Sequence, residues 1–556
     1  MANYFLKKIC KNNILFHFKN IRFSFCYNEN ESKKTRNSEE SEKFSFKVPI
    51  YSILMGSFLY FGIKKVSKSF HHQTAYCATK LYTKEEICKH KTKETGVWVT
   101  YKNKVYDITN FIESHPGGDK IKLAAGGAVE PYWSLYAVHK DNKEVMDILK
   151  ELEIGEIVND PNEKKNECID DPFRTDPERH PALKVVNQKP FNAETPSELL
   201  AENFLTPNPL FFVRNHLPVP VVDIEKFRLT VEGIGTENKK INLKIDEVKN
   251  LASVNSVEST IMCSGNRRKD MFNFKHVKGL GWSYGAISTA KWTGIKLVDF
   301  LDAYDLHYKN LIEMGARHIQ FEGLDFDPVG ARYGASIPIE IALDPQSDVL
   351  LAWEMNNEEL PLDHGYPLRV IIPGVVGARQ VKWLTKIVIS DKESDSFWQQ
   401  NDYKTFSPNI DFDKVDYSSM PAIIEPNVQS AISEPQDGQL IRNDGFLIVK
   451  GYAWSGAGRG IIRVELSIDG GTTWIPATIT HSKDVPTSSH IHRKQWAWVL
   501  WESEIPVGDD CEKMEILCKA VDSSQNTQPE SFKGTWNVRG LLANVWHRIN
   551  VSFYCE

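Results

Sequence analysis

The chain has 556 residues, which is long enough for several domains, and its 41% hydrophobic and 25% charged residues are typical of folded proteins. Its formal net charge is −6, from 67 basic and 73 acidic residues, so the overall charge gives no sign of a nucleic-acid partner. The nine cysteines contain no CxxC pair, which excludes zinc and iron–sulfur motifs built on such pairs, and their wide spacing argues against a disulfide framework.

The N-terminus has the composition of a targeting segment. Met1–Asn28 contains five basic residues and no acidic residue, with Phe and Ile interleaved in "ILFHFKNIRFSF". This pattern predicts a mitochondrial transit peptide, although a disordered basic tail has a similar composition.

A short apolar stretch, Val48–Ile63, comes next and is followed by Lys64 and Lys65. It is shorter than the ~20 residues that a stable membrane span needs. We therefore expect residues 1–75 to be a two-part signal that meets the membrane only during import and releases the rest into the mitochondrial intermembrane space. A retained membrane anchor is the alternative.

Residues 80–158 are predicted to form a first, small unit. The stretch "GVWVTYKNKVYDIT" alternates like two short strands around an "NK" turn. The stretch "DNKEVMDILKEL" predicts a helix, because Val145, Ile148, Leu149 and Leu152 recur with helical spacing.

A linker is predicted from Asn159 to Pro181. It contains four prolines, seven acidic and four basic residues, so few of its side chains could join a core. We expect an extended, mobile hinge; a rigid interdomain strap is the alternative.

Two larger units follow. The second, residues 182–408, is rich in Gly, Trp and Arg and has short mixed strands such as "PLRVIIPG" and "VKWLTKIVIS". The third, residues 422–556, has regularly spaced strands with turn signals, which predicts a β-sandwich. In "RVELSIDGGTTW", alternation places Val464 and Leu466 on one face and Glu465 and Ser467 on the other. The tryptophans of this unit fit either the sandwich core or an interface: Trp454, Trp474, Trp496, Trp498 and Trp501.

The first unit contains a candidate iron site. His115 precedes Pro116, which favours an extended backbone, and the glycines Gly117 and Gly118 allow a flat ligand to approach closely. His139 follows 24 residues later. Two histidines on opposite faces of a heme would fill both axial positions and favour electron transfer over oxygen binding. The stretch "VYDITNFIESHPGG", together with this second histidine, makes the unit resemble the cytochrome b5 family. The resemblance implies a b-type heme held by both histidines.

The second unit contains a candidate metal thiolate. Cys263, in "STIMCSGNRRKD", is followed by two arginines whose charge favours the thiolate, a soft metal ligand. A buried, inert cysteine is an equally acceptable interpretation of this stretch alone.

The wider pattern separates these alternatives. The stretches "FFVRNH", "CSGNRR", "GLGWSYGAIS", "DHGYPLRVIIPGVVGARQVKW" and "NDYKTFSP" resemble the sulfite oxidase family, in its animal form, over the second and third units. The resemblance implies an α+β multidomain fold: a small α+β cytochrome b5-like domain, a flexible hinge, a mixed α+β molybdopterin domain and a C-terminal immunoglobulin-like β-sandwich that mediates homodimerisation.

The same resemblance assigns roles to individual residues. Cys263 would ligate molybdenum. The cofactor would be bound by Phe212, Val213, Arg214, Asn215, His216, Asp325, His364, Arg369, Gln380, Val381 and Lys382. The substrate pocket would be formed by Arg214, Arg268, Trp282, Tyr403 and, from the third unit, Arg539.

These residues suit an oxyanion substrate. Sulfite carries two negative charges near neutral pH, and several arginines offset its desolvation and offer forked donors. The molybdenum–molybdopterin centre would take two electrons from sulfite, and heme b would pass them one at a time to cytochrome c, by resemblance.

Two alternative functions share some of these sequence features. Nitrate reductase has a related molybdenum domain, but in that family the heme domain follows the molybdenum domain and a flavin module is added. Here the heme unit comes first, and no nucleotide-binding fingerprint follows the third unit. A heme carrier that has lost its second metal is the other rival, and Cys263 with its arginines argues against it.

Overall fold

The structure is a computed structural model, and it describes residues 80–115, 121–122, 124–130, 133, 139, 142–158, 171–327, 330–480 and 494–554. The predicted targeting segment, its apolar stretch Val48–Ile63, the glycines Gly117 and Gly118, and residues 159–170 lie outside the described residues. No helix in the described ranges combines the length and the apolar character that crossing a membrane requires.

In the residues of the first unit that the structure describes, a small sheet is accompanied by two short helices. Its strands are β1 (Leu81–Tyr82), β2 (Lys91–Thr92), β3 (Gly96–Tyr101), β4 (Lys104–Asp107), β5 (Gly127–Ala128) and β6 (Glu153–Ile157), and its helices are α1 (Lys84–Ile87) and α2 (Lys143–Leu152). The strand order is β1-β6-β4-β3-β2, and β5 pairs with β3. The side chains packed at its core include Val97, Val99, Tyr106, Ile108 and Leu149.

The predicted hairpin and helix of this unit are confirmed, with two shifts. Strands β3 and β4 pair antiparallel, and the turn lies one residue earlier than expected, where Lys102 adopts the left-handed conformation. Helix α2 buries Leu149, but Ile148 is 38% exposed and Met146 packs against the core instead. The helical period is therefore right, whereas the predicted apolar face is rotated.

The second unit contains two five-stranded sheets and a smaller one. The strands are β7 (Lys184–Asn187), β8 (Asn192–Glu194), β9 (Val213–Arg214), β10 (Leu229–Gly233), β11 (Ile241–Leu243), β12 (Val254–Met262), β13 (Ile287–Lys296), β14 (His318–Phe326), β15 (Arg332–Pro338), β16 (Leu350–Met355), β17 (Glu358–Glu359), β18 (Arg369–Ile371) and β19 (Leu384–Ser390). The helices are α3 (Ser197–Leu200), α4 (Ile245–Lys249), α5 (Arg268–Phe274), α6 (Leu297–Asp302), α7 (Tyr308–Glu313), α8 (Ile339–Ala342) and α9 (Phe397–Gln400).

These strands form the sheets β11-β10-β19-β14-β15, β12-β13-β16-β17 with β18 on β16, and β7-β8-β9. Alternation along β14 buries every second residue from Ile319, as a sheet with one core face requires. Chain segments that leave β9, β12 and β18 surround the cavity described below.

The third unit is two stacked sheets, as the strand spacing predicted. Its strands are β20 (Gln429–Glu434), β21 (Leu440–Arg442), β22 (Phe446–Trp454), β23 (Ile461–Ser467), β24 (Ile475–Pro476), β25 (Thr478–Thr480), β26 (Val499–Pro506), β27 (Lys513–Asp522) and β28 (His547–Tyr554). The orders are β20-β22-β26-β25 and β21-β28-β27-β23-β24. Val464 and Leu466 are buried as expected. Ser467, expected outside, is buried too, because its hydroxyl bonds to Asp469 and accepts the Gly471 N–H across the turn.

The tryptophans of the third unit lie both in its core and against the second unit of the same chain. Trp501 belongs to the sandwich core. Trp454 and Trp498 instead pack against Met262 and Ile287 of the second unit. Since fully burying a large apolar side chain contributes about 1.5–3 kcal/mol, these contacts join the second and third units firmly.

Candidate active site

Two histidine rings of the first unit face each other. His115 follows a short 3₁₀ turn, Ile112–Ser114, and its backbone is extended (φ −68°, ψ 126°), as expected for a residue before proline. The ring centroids of His115 and His139 are 6.0 Å apart and their planes differ by 9°. Phe111 meets His115 edge-on at 5.8 Å, and Trp133 lies nearly parallel to His139 at 5.5 Å.

This spacing fits a heme iron. A separation of 6.0 Å is too long for contact between the rings. It leaves space for one metal ion with two metal–nitrogen bonds of about 2 Å each. The two predicted ligands thus lie at a ring separation that is compatible with bis-histidine ligation.

The second unit contains a cavity that opens to solvent, and about 620 Å³ of space free of protein atoms lies in it and in the solvent at its mouth. Ten of the predicted site residues line it: Phe212, Arg214, His216, Cys263, Asp325, His364, Arg369, Gln380, Lys382 and Tyr403. They come from the β9 region, the end of β12, β14, the segments around β18 and the stretch after α9, so residues far apart in sequence meet at one place.

Cys263 directly follows β12 and is 5% exposed. Its backbone N–H donates to the Ala286 carbonyl at 3.0 Å, and the Gly265 N–H donates to its Sγ at 3.4 Å. It packs in one apolar cluster with Phe212 and Trp282. The thiol is therefore held at the cavity wall in a shielded position with a backbone donor, which suits a thiolate ligand.

Arg214, His216 and Tyr403 form a linked group on the cavity wall. Arg214 Nη2 donates to the Tyr403 hydroxyl at 3.5 Å, and His216 Nε2 shares a hydrogen bond with the same hydroxyl. Burial raises the pKa of Tyr403 to about 12, despite the opposing charge of Arg214. Burial, Arg214 and Lys382 lower the pKa of His216 well below its usual value. The phenol therefore keeps its proton and the imidazole stays neutral.

Arg268 is fixed where the second and third units meet. Its Nε donates to the carbonyls of Arg539 (3.1 Å) and Gly540 (3.2 Å), and its Nη1 donates to Leu280 (2.8 Å). A Cβ on Gly279, at φ +137°, would lie 2.8 Å from the guanidinium carbon of Arg268. The absence of a side chain there thus makes room for the guanidinium.

Asp402 connects Arg539 to Tyr403. Arg539 Nη2 donates to Asp402 Oδ1, and the same oxygen accepts the Tyr403 N–H at 2.7 Å.

Burial and the Arg539 charge lower the pKa of Arg268, and the Cys263 and Tyr403 side chains oppose this. Burial disfavours a second positive charge so close to Arg539, and a bound anion would relieve this cost.

The opposite part of the cavity has polar groups that suit a pterin. Within the described residues, Asp325 Oδ1 and Arg369 Nε are buried and have no hydrogen-bond partner. Burial raises the pKa of Asp325 to about 7 and lowers that of Lys382 to about 7. Gly365, at φ +112°, leaves room for Lys382, because a Cβ on Gly365 would lie 3.1 Å from the Lys382 Cβ. Unpartnered donors and acceptors of this kind are what a ring system with polar edges needs.

The remaining predicted residues lie behind the wall of this cavity or beside it. They are Val213, Asn215, Trp282, Val381, Arg268 and Arg539. Asn215 contacts the wall directly, because its Oδ1 accepts from Lys382 Nζ. Trp282 is fully buried beside Cys263. Their roles in binding stay predictions.

Several lining residues were not predicted: Phe211, Ile261, Tyr333, Gly377, Ala378 and Trp383. Phe211 and Trp383 are sequence neighbours of predicted residues, so widening each motif by one position would have included them. Tyr333 has no such signal. It reaches the cavity from β15, and its hydroxyl donates to the Ala378 carbonyl at 2.8 Å.

The second half of the predicted linker is attached to the second unit. Arg179 Nε donates to Asp363 Oδ2 at 2.8 Å, and Lys189 pairs with Asp171. The Val219 N–H donates to Asp176 Oδ1 at 3.2 Å. The predicted hinge, residues 159–181, is therefore bound to the second unit over its C-terminal part, and residues 159–170 lie outside the described part of the chain.

Three family descriptions match the chain. Residues 83–158 match the cytochrome b5-like heme/steroid binding domain, residues 216–398 the oxidoreductase molybdopterin binding domain, and residues 420–553 the Mo-co oxidoreductase dimerisation domain.

Whole-length relatives extend these matches. The chain is 48% identical to the mitochondrial sulfite oxidase of Homo sapiens, over 90% of this chain and 89% of that protein. It is 52% identical to the sulfite oxidase of Gallus gallus, over 84% and 99% respectively. Among solved structures, the sulfane dehydrogenase SoxCD from Paracoccus pantotrophus is similar in fold, with a TM-score of 0.52 and 23% identity over 68% of this chain and 86% of that one.

Proposed function

This chain belongs to the sulfite oxidase family, and on that premise we propose that it oxidises sulfite to sulfate in the second-unit cavity and passes the electrons singly through its heme to cytochrome c. The observation that carries the proposal is the position of Cys263, which faces a cavity shared with Arg214 and Tyr403 in a chain that also has the paired histidines.

The residues present fit both cofactors. Molybdenum–molybdopterin would be held by Cys263 and by the polar wall that includes Asp325, Arg369 and Lys382. Heme b would be held by His115 and His139. When bound, the first supplies oxygen-atom and two-electron chemistry and the second carries one electron at a time.

The protein's own contribution is the placement of charge around the substrate. Arg214, which lines the cavity, would offer forked donors to the sulfite oxygens, and the charges of Arg268 and Arg539, behind the cavity wall or beside it, would help to offset the two negative charges. Arg268 is buried, and Arg214 and Arg539 are partly buried, so competing water is reduced and each contact is stronger than in solution. Arginines held by carbonyls and carboxylates before substrate arrives need little reorganisation.

Tyr403 would orient the substrate with its one hydroxyl proton. We assign the proton of the neutral His216 to Nε2, which then donates to the Tyr403 oxygen. Arg214 donates to the same oxygen. With two donors on its oxygen, the hydroxyl is free to donate its own proton into the cavity.

The two rival functions are separated by one assay. Purified protein should reduce cytochrome c when sulfite is added, and should not reduce nitrate with an artificial electron donor. Molybdenum and iron should both be present in the same preparation. Nitrate reduction without sulfite oxidation would favour the nitrate reductase alternative, and iron without molybdenum would favour the heme carrier.

We propose that residues 159–170 are the hinge between the heme unit and the rest. The support is their sequence, which is rich in proline and charge, together with the anchoring of residues 171–181 to the second unit. A tether of suitable length raises the effective concentration of the heme unit near the molybdenum site, and a tether too short to span the sites abolishes this effect.

Deleting about half of residues 159–170 should slow reduction of the heme by sulfite in rapid-mixing experiments by about tenfold or more. The heme spectrum and the molybdenum content should stay unchanged. A length-matched Gly/Ser replacement of the same residues is the control and should keep the rate. An unchanged rate of heme reduction in the shortened protein would contradict the hinge proposal.

The protein is a mitochondrial member of this family and forms a homodimer. We infer that it works in the intermembrane space and that it dimerises through the third unit. The support for the compartment is the basic leader followed by the short apolar stretch Val48–Ile63. Cytochrome c is the acceptor expected for a one-electron carrier in that compartment.

A further inference from the structure

A side chain from the predicted linker reaches the back of the cofactor wall. Arg179 binds the Asp363 carboxylate with two donors, Nε to Oδ2 at 2.8 Å and Nη2 to Oδ1 at 3.0 Å. Nη2 also donates to Asp176 at 2.9 Å, and the guanidinium lies 4.1 Å from the Phe191 ring centre. The side chains of Arg179 and Asp363 are 13% and 8% exposed, so this is a largely desolvated, forked ion pair.

Asp363 transmits this contact to the cavity. Its Oδ1 accepts from Asn215 Nδ2 at 2.9 Å, and its backbone carbonyl accepts from Lys382 Nζ at 2.7 Å. Lys382 Nζ also donates to Asn215 Oδ1. Asp363 therefore has three partners, of which only Lys382 lines the cavity.

We propose that Arg179 is a positioning residue for the pterin cofactor: by neutralising Asp363 from behind, it keeps the Lys382 ammonium and Asn215 in place at the cavity wall. The proposal rests on the proposed molybdenum–pterin function of this cavity. Arg179 does not line the cavity, and its effect is exerted through Asp363.

The physical reason is the cost of a buried carboxylate without its counter-charge. If Arg179 is removed, Asp363 keeps its negative charge in a site that water reaches poorly. Lys382 has three donors on a flexible side chain and already donates to the backbone carbonyl of Asp363. It is therefore the cation that can replace Arg179 as the partner of the Asp363 carboxylate. A Lys382 ammonium drawn onto the Asp363 carboxylate would no longer face the cofactor.

Arg179→Gln should therefore weaken retention of the cofactor. We expect molybdenum to be lost from the purified full-length protein about tenfold faster or more, because residues that hold cofactor-binding groups from behind typically contribute 10–100-fold. The readouts are the molybdenum-to-heme ratio over time and the pterin fluorescence of the released fraction. Neither depends on turnover of the loaded enzyme.

Two further variants separate positioning from folding. The double variant Arg179→Gln with Asp363→Asn removes both charges, so Lys382 is no longer drawn away from the cavity. Most of the lost molybdenum retention should then be restored. Arg179→Lys keeps the charge without the fork and should fall between wild type and Arg179→Gln. Lys189→Gln is the matched control, because it breaks the other ion pair of the same segment, with the half-exposed Asp171, and should retain molybdenum normally.

The outcomes are distinguishable. Normal retention in Arg179→Gln, or a double variant no better than the single one, would overturn the positioning role. Equal loss in Lys189→Gln would also overturn it, because the segment as a whole would then be responsible. A wild-type protein that never contains molybdenum would contradict the proposed function instead.

Discussion

Replacing Cys263 by serine is expected to abolish sulfite-dependent reduction of cytochrome c, by on the order of a thousandfold or more, which corresponds to ~4 kcal/mol of barrier. A serine hydroxyl stays protonated and is a hard, weak ligand, whereas the cysteine thiolate is a soft and strong one. The side chain is 5% exposed and nearly isosteric, so the fold should be unaffected.

The measurement is steady-state reduction of cytochrome c together with the heme absorption spectrum, which should not change. Cys511→Ser is the matched control, because Cys511 is a cysteine of the third unit that is half-buried and does not line the second-unit cavity. Substantial turnover in Cys263→Ser would refute the ligand role.

Replacing His139 by alanine is expected to remove the heme while sparing the second unit. His115 and His139, whose ring centroids are 6.0 Å apart, would supply the two axial ligands of the heme iron. Because one ligand is lost in this variant, heme affinity should fall by about 100-fold or more. Cytochrome c reduction should then be lost, whereas a small oxidant that can enter the second-unit cavity, such as ferricyanide, should still support sulfite oxidation.

The control for this variant is His90, the other histidine of the first unit. Its Nδ1 bonds to the Thr95 carbonyl and its ring lies parallel to Trp98. In His90→Asn the amide keeps a donor for that carbonyl, and the heme spectrum should be normal. Undiminished cytochrome c reduction in His139→Ala would mean that the electrons do not pass through this heme.

Local patterns predicted those parts of the molecule that depend on neighbours in sequence. The β3–β4 hairpin and helix α2 followed from alternation and period over about ten residues. Ten of the cavity-lining residues were predicted through the resemblance of several stretches to the sulfite oxidase family, of which the stretches around Arg214 and Cys263 hold four. The rotated face of α2 and the buried Ser467 depend on tertiary contacts that no short window contains.

The residues missed by sequence reasoning are those whose partners are distant. Asp363 and Arg179 are 184 residues apart, and Arg179 lies in a stretch whose proline and charge content is typical of linkers. A charged residue in such a stretch is solvated far more often than it is paired. Asp402 was missed for the same reason, since its partner Arg539 is 137 residues away in another unit.

The carbonyls of Arg539 and Gly540 that hold Arg268 have an evolutionary consequence. The second and third units cannot be exchanged between relatives as independent cassettes. A recombinant that displaced these carbonyls by a single residue would leave the donors of Arg268 without acceptors. A side chain at position 540 is also unfavourable while Arg268 is present, because a Cβ on Gly540 would lie 2.6 Å from Arg268 Cγ. The heme unit, which is connected through a linker sequence, could be gained or lost by a lineage without rebuilding the pocket.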